Sequence, residues 1–154
     1  MSQVRAIHRW LLTLFLIGVA VQFFLAGLGA FKAQDATEQG TIGDKQFADY
    51  FDPHQANGSI LTGVALAVLL VAVVGRLGWR TILVSLPLPI LVELQYIFAN
   101  NGPTWFRALH VVNAFVIAGV AGSQTASAWR KRKPDAAGEA PEDSPAGGAG
   151  SPTS

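Results

Sequence analysis

Four stretches of the chain are apolar for about the length a helix needs to cross a lipid bilayer, and polar residues cluster between them. A hydrocarbon core about 30 Å thick takes about 20 helical residues. The stretches lie at about residues 10–31, 54–75, 81–99 and 106–129. The first has no charged residue, the second none beyond the ionisable His54, and the third only Glu93. The fourth carries His110 and, at its very start, Arg107. A soluble protein would need amphipathic elements to cover four such helices, and the short connections leave none. The pattern predicts an all-α fold, a four-helix antiparallel transmembrane bundle.

The connections carry their own signals. The segment from Lys32 to Asp52 reads as the one sizeable extramembrane loop, with Phe47, Tyr50 and Phe51 forming a short element on the membrane surface. Asp52-Pro53 then reads as an N-cap followed by proline at the first helical position. Pro87 and Pro89 are expected to bend the third span and free a carbonyl for a partner inside the bundle. Asn100-Asn101-Gly102-Pro103 reads as a tight turn. Residues 134–154 are Pro, Ala, Gly, Ser, Thr and acids, which predicts a disordered cytoplasmic tail after a membrane domain covering 1–133.

Composition narrows the function classes. Of 154 residues, 51% are hydrophobic and 14% charged, where a soluble domain has roughly 25% charged residues. A net charge of +1 with dispersed basic residues argues against nucleic acid as a partner and leaves the lipid bilayer. The absence of cysteine excludes disulfides, thiolate metal sites and a cysteine nucleophile. Arg5, Arg9, Arg76, Arg80 and the run Arg130 to Lys133 fall on one side of the predicted bundle. By the positive-inside rule both termini are expected in the cytoplasm of a multi-pass cell-membrane protein. Trp10, Trp79, Trp105 and Trp129 stand at span ends, as interfacial indoles do. The first span, apolar over 22 residues, exceeds the 7–15 of a signal-peptide core and is expected to be retained.

Within the spans, polar side chains tend to face the bundle interior. His54-Gln55-Ala56-Asn57 opens the second span and His110-Val111-Val112-Asn113 the fourth, an H-x-x-N repeat that fits two related hairpins. At 1.5 Å per residue from Arg76 and Arg130, the two imidazoles stand about 33 and about 30 Å up, nearly level. Gln22 and Glu93 share a lower level about 20 Å up, with Tyr96 one turn above Glu93 and Gln95 turned away from it. Small residues at four-residue spacing are expected to face inward: Gly18, Gln22 and Ala26; His54, Gly58 and Thr62; His110, Ala114, Ala118, Gly122 and Ala126.

Two readings stand side by side for this chemistry. In one, His54 and His110 are the metal ligands of a b-type haem, Asn57 and Asn113 orient the rings or meet a propionate, and Gln22, Glu93 and Tyr96 form a proton or hydrogen-bond network. In the other, the same groups serve helix packing in a non-catalytic accessory subunit or small-solute carrier, with a membrane-protein partner or a second copy against the small-residue stripes. His8, among Arg5, Arg9 and Trp10, reads as interfacial. The serines have no evident base nearby, and motifs of hydrolases, kinases and NTPases are absent.

The run Val21 to Gly29, the Phe51-Asp52-Pro53-His54 turn and Leu109-His110 with Asn113-Ala114 resemble a family of small four-span bacterial membrane proteins known as a domain of unknown function. The resemblance covers residues 5 to 130 and implies the four-helix layout with the same polar positions. A looser similarity, resting on the histidines, is to the four-helix membrane domains of b-type cytochromes. With one such pair, it implies at most one haem.

Overall fold

A computed structural model describes residues 2–130; the expected tail at 134–154 lies outside the described residues. Among the described residues the chain is helical in five pieces: α1 (Ser2–Gln39), α2 (Asp44–Val74), α3 (Trp79–Ser85), α4 (Pro87–Asn100) and α5 (Thr104–Trp129). Pieces α3 and α4 form one crossing, Trp79–Asn100, so four helices are long and apolar enough to cross a membrane. Neighbours in sequence pack together, and α1 also packs on α5, closing a ring of four.

Large apolar side chains cover much of the exterior. Phe24, Phe31, Leu70, Val74 and Phe115 each expose more than 60% of their surface. Such a coat requires lipid rather than water around it, since soluble monomers seldom expose large contiguous apolar patches. The chain is a multi-pass membrane protein. Its core holds Leu12, Phe15 and Val19 from α1, Leu61, Ala65 and Val68 from α2, Leu88 and Val92 from α4, and Ile117 and Ala121 from α5. Close approach of α1 and α2 depends on Gly18, where a Cβ would lie 2.7 Å from Leu61 Cδ2.

The long loop expected at 32–52 is largely helix. Helix α1 runs on to Gln39 and α2 begins at Asp44, leaving only residues 40–43 as a connection. The segment Lys32 to Gln39 contains neither glycine nor proline, so nothing in it stops the helix. Pro53 therefore lies inside α2 rather than at its first position, and Asp52 caps nothing. Packing holds the turns before the proline: the Phe51 ring and the Tyr50 carbonyl press on Gly29 of α1, with room only for hydrogen at that Cα. Tertiary contact outweighs the hydrogen bond that proline cannot donate.

The third crossing breaks between Ser85 and Pro87, as the prolines predict. Within the interrupted turn the Val84 carbonyl accepts a hydrogen bond of 2.7 Å from Gln124 Nε2 of α5. The buried stripe of α5 differs from the expected one. Asn113, Ile117, Ala121 and Gln124 are buried, whereas Ala126 is exposed and Gly122 meets no neighbouring helix. The helix is turned about one residue from where the small-residue spacing put it.

Candidate functional site

Polar side chains converge at the end of the bundle where α1 meets α2 and α4 meets α5. In the first hairpin, Asn57 Nδ2 donates to the Gly18 carbonyl at 3.0 Å and to Gln22 Oε1 at 2.6 Å. Gln22 Nε2 in turn donates to the His54 carbonyl at 3.0 Å and to His54 Nε2 at 3.1 Å. The ring's other nitrogen, Nδ1, donates to the Gln22 carbonyl at 3.2 Å. A carbonyl can only accept, so this bond sets the Nδ1–H tautomer and leaves the lone pair on Nε2.

The second hairpin repeats the arrangement. Asn113 Nδ2 donates to the Leu91 carbonyl at 2.8 Å and to Gln95 Oε1 at 2.6 Å. His110 Nδ1 donates to the Gln95 carbonyl at 3.1 Å. Gly18 and Leu91 each precede their glutamine by four residues, one helical turn. The H-x-x-N repeat is thus half of a larger one, Gln22-His54-Asn57 against Gln95-His110-Asn113.

Gln95 is the site residue that sequence reasoning missed, and Glu93 is the one it misplaced. Val92 is buried and Gln95 half-buried on the inner side of α4, while Glu93 is exposed on the outer side. Gln22 is engaged by His54 and Asn57, so the pairing of Gln22 with Glu93 at a common depth does not form. Equal height does not help two side chains that face different ways around their helices. A signal was present: Gln22-Phe23 and Gln95-Tyr96 are the two glutamines followed by an aromatic within the apolar stretches at 10–31, 54–75, 81–99 and 106–129. Tyr96 lies beside the site, its hydroxyl near Gly58 of α2.

The two imidazoles, one from each hairpin, have ring centres 6.1 Å apart with planes inclined at 57°. Two cavities flank them. One of about 370 Å³ is lined by both histidines, both glutamines, Tyr96 and Gly58. The other, about 150 Å³, is walled mainly by Val19, Phe23, Leu61, Val92 and Ile117. Neither is lined by Asn57 or Asn113, whose amides turn to the neighbouring helix instead of the cavity.

A family model matches residues 22–104 of this chain. The chain belongs to DUF6220, a family of unknown function. No curated protein and no solved structure matches it. The DUF6220 match takes in Gln22, His54, Asn57 and Gln95, and it ends before His110 and Asn113.

Whether the DUF6220 pair suits a metal can be judged from its geometry. Imidazole nitrogen binds a first-row metal at about 2.0–2.1 Å, so two rings on opposite sides of one ion hold their centres about 6 Å apart. The 6.1 Å found here matches. Each Nδ1 is held by a backbone carbonyl, the outer-shell contact that orients a ligating histidine. The Gln22 amide stands at His54 Nε2 and must yield that lone pair to a metal, whereas the hydrogen bond of His110 is on Nδ1. Among the described residues there is no group of three or more His, Cys, Asp or Glu, so a site of two protein ligands is what the chain offers. A porphyrin, which brings four nitrogens of its own, suits two ligands.

Proposed function

We propose that this DUF6220 chain is a haem-binding protein of the cell membrane, in which His54 and His110 would hold one b-type haem. The observation that carries this reading is the 6.1 Å separation of two imidazoles supplied by different hairpins. Carbonyl-held Nδ1 atoms and the flanking 370 Å³ cavity, within the roughly 300–1,000 Å³ of small-molecule sites, support it. Bound haem supplies one-electron transfer. The protein's part is to orient both rings through Gln22 and Gln95, brace those helices through Asn57 and Asn113, and keep water out with Val19, Phe23, Val92 and Ile117. Glu93 has no part in it.

The test is a reduced-minus-oxidised visible spectrum of the protein purified in detergent from cells supplied with haem. The expected result is sharp α and β bands that vanish in the His54→Ala, His110→Ala double variant. Bands that are absent in the parent, or that persist in the double variant, overturn the reading.

A second reading has its own support. Asn57, Gln22, Asn113 and Gln124 each donate to a backbone carbonyl of a neighbouring helix, which is what interhelical packing needs. On that reading the chain is an accessory subunit or small-solute carrier, and it purifies without haem bands. The orientation we propose places both termini in the cytoplasm, because Arg5, Arg9, Arg76, Arg80 and Arg130 belong to one end of the bundle. The chain has no cysteine, so a single Thr41→Cys reports the other side. An impermeant maleimide added to intact cells is expected to label it, and labelling only after lysis reverses the topology.

A further inference from the structure

At the opposite end of the bundle from the paired histidines lies a cavity of about 480 Å³ between α1, α3 and α5. Arg5, Arg80 and Arg130 line it, each with an exposed side chain. No carboxylate among the described residues does so. Deeper in, His8 and Ser85 are buried and hydrogen-bonded to each other at 3.1 Å. His8 is therefore not an interfacial side chain, as its sequence neighbours implied, but part of a built wall.

Gln124 shares that wall and is only 6% exposed. Its Nε2 is held by the Val84 carbonyl, while its Oε1 is buried without a hydrogen-bond partner. A buried acceptor left unmade costs about 1–3 kcal/mol, and this oxygen is closed off from the cavity. With three guanidiniums and no carboxylate among its described lining residues, the cavity asks for an anion. Its other walls, Leu12, Leu77, Val84 and Ala128, are apolar. Trp10, Trp79 and Trp129 mark this end as the level of the membrane interface.

We propose that this cavity binds the headgroup of an anionic phospholipid. Arg5, Arg80 and Arg130 take the phosphate. Basic pockets between membrane helices commonly take anionic headgroups. The proposal is independent of the haem site, and its test has no haem readout.

The test is native mass spectrometry of the detergent-solubilised protein titrated with defined lipids. Phosphatidylglycerol is expected to bind well above phosphatidylcholine. Phosphatidylmethanol, which has the same charge but no headgroup hydroxyl, is expected to bind as phosphatidylglycerol does. Each Arg→Gln change is expected to weaken phosphatidylglycerol binding about fivefold, and the triple variant on the order of 100-fold. These side chains are exposed, so the variants are expected to keep the parent's elution volume and helical circular dichroism. Glycerol 3-phosphate and inorganic phosphate form the soluble arm. Competition by either at the lipid's own concentration assigns the site to a free phosphate and overturns the lipid proposal. Equal binding of phosphatidylcholine, or parent-like binding by the triple arginine variant, overturns the site itself.

Discussion

The two hairpins hold the same three side chains and treat their histidines differently. In the first, Gln22 donates to the carbonyl and to Nε2 of His54 and accepts from Asn57. In the second, Gln95 accepts from Asn113, and its backbone carbonyl accepts from His110. The helix contacts behind them also differ. Gly18 lets α2 approach until Leu61 touches the backbone, while the equivalent position on α4 is Leu91. One triad is locked and the other has a histidine with Nε2 to offer, so repetition of residues need not mean repetition of state. A ligand that enters between the hairpins meets a ready imidazole on one side and a tethered one on the other.

The largest expected effect tests whether that difference survives ligand binding. If both rings bind one haem, His54→Ala and His110→Ala each abolish the low-spin reduced spectrum. A spectrum left intact by either substitution shows that the hairpins are unequal in function too. Next in size is Gly18→Leu, which places at position 18 the residue that its counterpart carries. Overpacking of this kind costs typically 1–3 kcal/mol, here against Leu61, and a chemical-denaturation midpoint in mixed micelles is expected to fall accordingly. An unchanged midpoint would mean that α1 and α2 do not need their close approach.

Smaller still is the contrast between the glutamines. Gln22→Leu removes three side-chain hydrogen bonds and Gln95→Leu one. At about 0.6 kcal/mol for each interhelical bond in a membrane protein, the losses are about 2 and about 0.6 kcal/mol. Equal losses, measured by the same unfolding assay, would erase the asymmetry between the hairpins. Least of all is Glu93→Gln, on the outer face of α4. It is expected to leave stability within about 0.5 kcal/mol and the haem spectrum unmoved. A loss of haem in that variant would return Glu93 to the site.

Much of this arrangement was legible along the chain. The four crossings follow from run length, and the H-x-x-N repeat placed His54 and His110 at one height because rise per residue converts sequence distance into depth. Gln95, by contrast, was assigned by its angle to Glu93, and that reference was the wrong one. Depth is a one-dimensional quantity, but the direction of a side chain around its helix depends on which neighbour the helix meets. The long loop failed for a related reason. Its polar residues marked it as extramembrane, yet polarity does not end a helix, and Phe51 against Gly29 carries α2 across its proline. His8 and Ser85 lie 77 residues apart, with no local pattern joining them.

The sequence alone determined that the described residues hold four helices long and apolar enough to cross lipid. Lipid supplies no hydrogen bonds, so a crossing is helical, and where the third is interrupted a side chain of α5 bonds a backbone carbonyl of the turn. What only the tertiary structure decided is how each helix is turned. A soluble helix carries an apolar stripe that points to the core, but these helices are apolar on nearly every side, and lipid rewards no one face over another. Their orientation came instead from amide-to-carbonyl bonds between helices and from close contacts at glycine, which exist only once the bundle is assembled.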